Sequence, residues 1–460
     1  METTGTTDAE LERQIMQWRS FLQAHPALGD GDLDELEDHL RDRIDDLRSR
    51  GLTPDEAFLI AVRRLGRVDQ LSREFAREHS DRLWKQLVLG SAESTRPSRG
   101  GLLAVAFAMV AAVVIKLPAL WGAPDEVTMR NAPILILGAL AAYLLVRGSR
   151  GWRTWIAVAV PFAAAAVIVN AFPFAPGADT LLLTVLHLTV ALWIAVGIAY
   201  VGSGWRSTSA RMDFIRFTGE WVVYLALIAI GGGVLVALTL GVFSAIGVTI
   251  EGVAEDWILP CGAAGAVVVA AWLVDAKKSV IENMAPVLTK LFTPLFTLLL
   301  LTFLAAAAVQ TITASADAET GLLGMASQRD VLIIFDVTLV VVLGLLLYTL
   351  SAHRSDAPAS WFDTLQLVML VAAIAVDLLV LAAMLTRIGE FGASPNKLAS
   401  LGLNLILLAC LAGAAWLQVG YLRGKTTHAA RERWQTGFLP VYAVWAFAVA
   451  AILPPLFAFQ

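Results

Sequence analysis

The chain has 460 residues, of which 57% are hydrophobic and 16% are charged, and its mean hydropathy is +0.69. The apolar residues fall in blocks of membrane-spanning length, which excludes a soluble protein and predicts a polytopic membrane protein in the lipid bilayer. The net charge of −5 is concentrated in residues 1–90, which carry 13 Lys and Arg against 19 Asp and Glu. This acidic segment offers no basic face, so no nucleic-acid partner is expected.

Residues 1–90 have the periodic apolar pattern of short amphipathic helices. Leu11, Ile15 and Trp18 recur at spacings of four and three residues, and Leu40 and Ile44 belong to a second stripe of this kind. Such spacing places one apolar face on each helix. The sequence therefore predicts a separate, all-helical domain over residues 1–90.

Three motifs in this domain resemble the bacterial permease prefix domain, also called HAAS, which is associated with PadR-type regulators. They are Glu35-Leu36-Glu37-Asp38-His39-Leu40, Gly51-Leu52-Thr53-Pro54-Asp55-Glu56-Ala57 and Arg64-Leu65-Gly66. The likeness covers about residues 10–80. It implies a cytosolic regulatory module that binds a protein partner and carries no catalysis of its own. The alternative is a helical domain that only aids folding or assembly.

A polar, helix-breaking linker, residues 91–101, precedes the membrane part, residues 102–460. Eleven spans are predicted there, and the second is short. They are Leu102–Leu120, Ala132–Val146, Trp155–Phe172, Thr180–Val201, Glu220–Val248, Ile258–Val274, Pro294–Ile312, Val331–Leu350, Trp361–Leu385, Leu398–Leu422 and Phe438–Phe459. The predicted fold class is an all-α, polytopic transmembrane bundle with an N-terminal helical domain.

The positive charges between the spans predict the orientation in the membrane. Sixteen Lys and Arg fall in the connections of one side, whereas the other side has Arg130, Arg329, Arg387 and Lys397. Lys and Arg collect on the cytoplasmic side. We therefore expect a bacterial inner-membrane protein with a cytoplasmic N-terminus and an extracytoplasmic C-terminus.

Several polar side chains fall at a common depth in the outer half of the predicted spans. At a rise of about 1.5 Å per residue, Asp336 lies about 9 Å and Asp377 about 12 Å from the outer ends of their helices. A carboxylate in hydrocarbon costs about 3 kcal/mol or more, so it requires a partner, water or a proton. A polar cavity is predicted from the whole set, which comprises Asp377, Asp336, His187, Asn404, Lys116, Asn170 and Gln310.

The alternative is that these side chains pair separately between helices or reach the surface, as Lys116 easily can. A metal site at His187 with the two aspartates has no supporting ligand spacing. Cys261 and Cys410 occur in separate apolar runs, which favours neither a disulfide nor a metal site. No cofactor is expected.

A glycine run in the fifth span and the lack of catalytic motifs in the sequence also bear on function. The run Gly231-Gly232-Gly233 in the fifth span indicates either a discontinuous transporter helix or a close helix crossing, and the crossing is favoured. No phosphate-binding loop, zinc-protease motif, nucleophile elbow or pair of catalytic carboxylates occurs in the sequence. An enzyme is therefore not expected.

The segment after the ninth span, Arg387-Ile388-Gly389-Glu390-Phe391-Gly392-Ala393-Ser394-Pro395-Asn396-Lys397, resembles a family signature. The signature is Arg-Ile-x-x-Tyr-Gly-x-Thr-x-Asn-Arg, from a large bacterial polytopic membrane family of unknown function. This chain has Phe, Ser and Lys where the signature has Tyr, Thr and the second Arg. The residue types predict a rigid outer hairpin, in which Gly392 makes a left-handed turn, Ser394 caps the next helix and Arg387 is near Glu390; Asn396 completes the signature. The alternative is a well-capped turn without function.

The resulting hypothesis is a permease-like protein whose intramembrane polar cluster binds a small solute, a proton or a cation. Two carboxylates close together in a low dielectric cannot both ionise comfortably, so a shared proton is expected unless a nearby cation compensates. The alternative is a membrane sensor that transports nothing and acts on a protein partner through residues 1–90.

Overall fold

The computed structural model describes residues 11–19, 30–49, 52–65, 99–245, 248–276, 284–313, 329–352 and 360–460. All regular secondary structure in these ranges is helical, as predicted. The chain divides into two compact units, Met1–Arg96 and Pro97–Gln460. Most of the predicted linker lies outside the described residues.

The N-terminal unit contains α1 (11–19), α2 (Asp30–Ser49) and α3 (Pro54–Leu65). The apolar stripes of these helices meet in one core, in which Ile15 and Leu40 are almost completely buried. The amphipathic pattern of the sequence thus produces a small helical core of its own.

A capping box begins α3. The Thr53 hydroxyl accepts a hydrogen bond from the Glu56 backbone N–H at 3.4 Å, and the Glu56 carboxylate accepts one from the Thr53 backbone N–H at 3.1 Å. Two backbone donors that the helix leaves without partners are satisfied reciprocally.

The described residues of the second unit contain eleven helices long and apolar enough to cross a membrane, the number predicted, so the chain is an integral membrane protein. In chain order the helices of this unit are α4 (Arg99–Leu120), α5 (Asp125–Arg147), α6 (Trp152–Ala171), α7 (Asp179–Val201), α8 (Thr208–Ala245), α9 (Glu251–Ala276), α10 (Met284–Thr313), α11 (Arg329–Ala352), α12 (Trp361–Phe391), α13 (Pro395–Leu422), the short α14 (His428–Gly437) and α15 (Leu439–Leu456).

Two apolar cores hold the spans together. The first joins α4, α5, α6, α7 and α9 and includes Tyr143 and Leu192. The second joins α10, α11, α12 and α13 and includes Leu339 and Leu370. The first part of α8 supplies side chains to both cores, so this helix ties the two groups of spans into one bundle.

The second span is longer than predicted. It covers 23 residues, Asp125–Arg147, instead of Ala132–Val146. Asp125 and Glu126 occupy its first turn, where acidic side chains interact favourably with the helix dipole. The polar first turns lower the local hydropathy, which is why hydropathy alone placed the start seven residues too late.

The interpretation of Gly231-Gly232-Gly233 was wrong in both of its forms. The helix α8 is continuous through these residues, and a Cβ atom added to any of them would meet no atom of the described residues within 4 Å. Close approaches occur instead at Gly402 and Gly413, where the rings of Trp445 and Trp434 occupy the space that a side chain would need. A glycine in an apolar run does not by itself identify a helix crossing.

Candidate functional site

A stripe of polar side chains runs along the buried face of α12. Asp363, Gln366, Leu370, Ala373 and Asp377 recur at spacings of three, four, three and four residues, so they share one face of the helix. That face packs toward α10, α11 and α13, and the three polar members are at most 2% exposed. The polar groups therefore point into the bundle and away from lipid.

One end of this stripe meets two other spans in a carboxylate cluster, which we define as Asp336, Asp377, Asn404 and Ser400. The Asn404 amide nitrogen donates to the Asp336 carboxylate at 2.8 Å and to the Ser400 backbone carbonyl at 3.1 Å. The Ser400 side chain also hydrogen-bonds Asp336. These bonds join α11 to α13, and Asp377 of α12 interacts with Asp336 electrostatically.

Asp377 differs from the other members because its charge has no direct partner. Its side chain is 0% exposed, and neither carboxylate oxygen accepts a hydrogen bond from the described residues. Asp336 is half-buried and close enough to repel it electrostatically. A buried carboxylate in such surroundings is stable when it is protonated or when a cation lies beside it.

The opposite end of the stripe is closed by a buried ion pair. Arg431 of α14 lies 3.7 Å from the Asp363 carboxylate, and both side chains are at most 4% exposed. Asp363 also caps α12, because its carboxylate accepts the Ser360 backbone N–H at 2.8 Å, and Gln418 donates to the Asp363 backbone carbonyl at 2.8 Å. The contacts connect α12, α13 and α14.

Gln366 lies between the two ends. It is 1% exposed, and within the described part of the chain neither atom of its amide makes a hydrogen bond. An amide is both a donor and an acceptor, so it can relay a hydrogen bond to a neighbouring group. The spacing of Asp363 and Asp377, 14 residues, corresponds to about 21 Å along the helix.

The other predicted members of the polar set do not join the carboxylate cluster through any described contact. His187 bonds through Nδ1 to the Leu183 carbonyl at 2.8 Å. Asn170 exchanges hydrogen bonds with Asn131 at 2.8 and 3.0 Å. Lys116 donates to the Asp256 carbonyl and lies 5.0 Å from the ring of Trp257. The Gln310 side chain lies outside the described residues.

The pair of Asn170 and Asn131 joins two spans, as in the alternative considered from the sequence, whereas His187 bonds within its own helix. Helix rise gives the depth of a side chain but not the direction in which it points. Asn404 contacts Asp336, and Asp377 is close enough to Asp336 to interact electrostatically, whereas His187 and Asn170 bond elsewhere, so the single cavity stays a prediction.

The predicted outer hairpin is mostly helix. Because α12 continues to Phe391, Arg387 and Glu390 lie on its last turns rather than in a loop. Gly392 has φ of +74°, in the left-handed region, and Ser394 caps α13 by accepting the Lys397 backbone N–H at 3.4 Å. The Asn396 side chain donates a hydrogen bond of 2.7 Å to Asp179 at the start of α7. This bond connects the turn between α12 and α13 to a span that is distant in sequence.

A second charged region was missed at the sequence level. A cavity of about 490 Å³ lies where α5, α7, α8 and α9 meet, and its walls carry three arginines and three acids: Arg147, Arg150, Asp213, Arg216, Glu220 and Asp275. A signal for it exists, since most of these residues fall at ends of spans on one predicted side. Of the six, only the three arginines entered the sequence argument, as charges that predict the orientation.

Among the described residues, no three His, Cys, Asp or Glu side chains are arranged to hold a metal ion. Comparisons with protein-family models, curated proteins and solved structures gave no match for this chain.

Proposed function

We propose that this chain is a permease-like membrane protein that moves a small solute together with a proton or a monovalent cation bound at the carboxylate cluster. One observation carries the proposal. Asp377 is completely buried, neither of its oxygens accepts a hydrogen bond from the described residues, and Asp336 lies nearby. Acidic residues inside membrane spans are typical of proton and ion pathways.

The charge of the cluster is the physical basis for coupling. Two carboxylates in a low dielectric repel each other strongly, so the cluster is most stable with one proton or one cation bound. Asn404 stabilises the charge of Asp336 through a hydrogen bond, which leaves Asp377 as the group that takes up and releases the ion. Binding of the ion removes one buried charge and favours a different packing of α11, α12 and α13.

The polar stripe of α12 provides the direction in which the bound ion moves. Gln366 lies between the carboxylate cluster and the buried pair of Asp363 and Arg431, so an ion that leaves Asp377 meets polar groups toward the far end of the helix. The ion pair closes that end in the present conformation. Its opening is the step that alternates access between the two sides.

The remaining parts of the proposal follow from charge and sequence resemblance. The excess of Lys and Arg on one side supports a bacterial inner-membrane protein with a cytoplasmic N-terminus and an extracytoplasmic C-terminus. In that orientation the carboxylate cluster lies in the outer half of the membrane. The likeness of residues 10–80 to the permease prefix domain supports a regulatory role for the N-terminal unit, through a cytosolic protein partner.

Ion flux in proteoliposomes tests the proposal. The purified protein is reconstituted with a pH indicator inside the vesicles, and proton or sodium gradients are imposed while a set of small solutes is added. We expect ion flux that a solute accelerates, and at least a tenfold loss in Asp377→Asn. The neutral amide removes the ionisable group without adding a buried charge, so the variant should stay folded.

Asp125→Asn is the matched control, because Asp125 is exposed at the start of α5. It should retain full flux. If Asp377→Asn transports as well as the unaltered protein, Asp377 is not the ion site and the proposal is wrong. If neither protein shows flux with any gradient or solute, the sensor hypothesis replaces transport.

The sensor hypothesis has one structural observation in its favour, which is that residues 1–96 form one of the two compact units of the chain. Deletion of residues 1–90 separates the two functions. A transporter keeps its flux in vesicles after the deletion, although regulation is lost. A sensor loses every cellular phenotype of the gene together with that unit.

A further inference from the structure

Two buried glutamines lie on facing helices behind the pair of Asp363 and Arg431. Gln366 follows Asp363 by three residues in α12, and Gln435 follows Arg431 by four residues in α14. Side chains three or four residues apart lie on the same face of a helix. Because the two charged side chains contact each other, both glutamines lie on the faces that α12 and α14 turn toward each other.

The two glutamines also lie at a similar depth. Helix rise places Gln366 about 4.5 Å and Gln435 about 6 Å beyond the ion pair. The Cys410 thiol donates to Oε1 of Gln435 at 3.3 Å, whereas Gln418, eight residues later in α13, bonds the Asp363 backbone. Eight residues correspond to about 12 Å along a helix. Both amides therefore lie inside the bundle, away from the helix end that the ion pair closes.

We define Gln366 and Gln435 as the amide site. Gln366 is 1% exposed and Gln435 is 2% exposed. Neither amide atom of Gln366 makes a hydrogen bond with any described residue, and the same holds for Nε2 of Gln435. Two NH₂ groups and one carbonyl oxygen are thus unused within the described part of the chain. Buried polar groups almost always have a partner, so these amides require one beyond the described residues.

The unused groups indicate which partner fits. Glutamine amides carry no charge, and Arg431 already interacts electrostatically with both Asp363 and Glu432. A charged ligand would lose its hydration among uncharged amides, which is costly in a low dielectric. The unused N–H donors outnumber the unused carbonyl acceptor. The matching ligand is therefore uncharged and presents mainly oxygen acceptors, such as carbonyl or hydroxyl groups.

We infer that the amide site binds the transported solute, and that this solute is a small uncharged molecule whose carbonyl or hydroxyl oxygens accept hydrogen bonds from Gln366 and Gln435. Transport of the solute rests on the proposed function, whereas its binding does not. Because both amides are almost completely buried, the solute reaches them when the pair of Asp363 and Arg431 opens. The helix α12 carries Gln366 and also Asp377, so a movement of this helix changes the solute site and the ion site together.

Equilibrium binding of small probes to the full-length protein tests the inference. Radiolabelled acetamide, urea and glycerol are the uncharged probes, and acetate and methylammonium are charged probes of similar size. We expect at least one uncharged probe to bind at least tenfold more tightly than either charged probe. A charged probe that binds as tightly as every uncharged one, or no binding of any uncharged probe, overturns the inference.

One variant and one control locate the binding. Gln366→Leu removes the whole amide without adding a buried charge, and it should weaken the uncharged probe at least tenfold. Asn170→Ala removes an amide of another pair of spans, and it should bind like the unaltered protein. Unchanged binding in Gln366→Leu overturns the inference. The comparison of probes needs no variant, so it decides the question even where Gln366→Leu does not fold.

The same probes separate this inference from the proposed function. Asp377→Asn should bind the uncharged probe normally while its ion flux is lost. If the probe binds but no ion gradient drives its uptake into proteoliposomes, the transport proposal is wrong and the amide site stands as a binding site. If ion-driven uptake occurs and Gln366→Leu leaves uptake and binding unchanged, the amide site is wrong and the transport proposal stands.

Discussion

Asn404 donates a hydrogen bond of 2.8 Å to Asp336, and Asn404 is 0% exposed. The bond connects α13 with α11 in the same region where Asp377 reaches in from α12. Asn404→Ala removes a donor from a buried carboxylate, which typically costs about 1–3 kcal/mol. We expect lower stability and at least a tenfold loss of ion flux, measured by chemical unfolding and in proteoliposomes.

Asn170→Ala is the comparison for this variant. Asn170 also forms an amide pair between spans, with Asn131, but it is exposed and lies outside the carboxylate cluster. It should lose less stability and keep its flux. If Asn404→Ala and Asn170→Ala lose equal stability and equal ion flux, the Asn404 bond has only a structural role.

At the carboxylate cluster, the sequence predicted the depth of the side chains but not the direction in which they point. Run lengths and helix rise placed Asp336, Asp377 and Asn404 at one depth; Asn404 hydrogen-bonds Asp336, and Asp377 interacts with Asp336 electrostatically. The same procedure gave equal weight to His187 and Asn170, which bond elsewhere. Depth follows from counting residues along a helix, whereas the direction of a side chain depends on which faces pack together.

The number of spans was predicted correctly because hydropathy follows from the cost of exposing polar groups to lipid. Features that depend on contacts between distant segments were missed. Arg431 was counted as an ordinary charge in a connection, yet it is 4% exposed against Asp363. No local pattern distinguishes an arginine that faces water from one that folds back onto a neighbouring helix.

The buried pair of Asp363 and Arg431 gives a second prediction. The substitution Asp363→Asn leaves the buried charge of Arg431 without its carboxylate partner. Breaking a buried ion pair costs about 3–5 kcal/mol, so the unfolding transition should shift strongly to lower temperature or denaturant.

Asparagine can still accept the backbone N–H that Asp363 caps, so this substitution tests mainly the charge. The double variant Asp363→Asn with Arg431→Met removes both charges and should recover most of the lost stability. Asp125→Asn, which changes an exposed acid, should leave the transition where it is. An Asp363→Asn protein as stable as the parent would show that Arg431 needs no carboxylate partner.

A third prediction concerns helix packing. In Gly402→Ala the added methyl group meets the Trp445 ring, so the contact between α13 and α15 must open. Overpacking of this kind costs about 1–3 kcal/mol. Gly231→Ala is the control, because no atom of the described part of the chain lies within 4 Å of the new methyl group and alanine favours helix. Thermal unfolding in detergent should occur at a lower temperature for Gly402→Ala than for Gly231→Ala. A Gly231→Ala protein as unstable as Gly402→Ala would contradict the assignment of the close helix contact to Gly402.

The orientation in the membrane gives a fourth prediction. In the proposed orientation, with an odd number of spans, a reporter active only in the cytoplasm should be bright before Met1 and dark after Gln460. Insertions in the segment between α5 and α6, which holds Arg150, should be bright as well. Equal signals from both ends would mean that one of the eleven apolar helices does not cross the membrane.

The fifth prediction concerns the N-terminal unit, where Arg41 joins two acids. Its guanidinium donates to Glu12 at 2.6 Å and to Glu37 at 2.9 Å, and Arg19 also binds Glu37. These hydrogen bonds lower the pKa of Glu37 and of Glu12 below the ordinary value of 4.5. Because the unit has its own apolar core, residues 1–90 should express as a soluble helical fragment.

The sign of the pH dependence follows from these pKa values. Carboxylates with a lowered pKa bind fewer protons in the folded fragment than in the unfolded chain, so they stabilise the fold above pH 4.5. That stabilisation is lost as the pH falls from 4.5 through the lower folded values. Each partly exposed pair contributes up to about 1 kcal/mol, so melting followed by circular dichroism should shift by a few degrees.

The variant Glu37→Gln should melt at a lower temperature at neutral pH, and its melting temperature should depend less on acid. High salt should weaken the pH dependence of the parent fragment, because salt screens exposed pairs. A parent fragment that melts at the same temperature on both sides of pH 4.5 would exclude a contribution of the Arg41 network to stability.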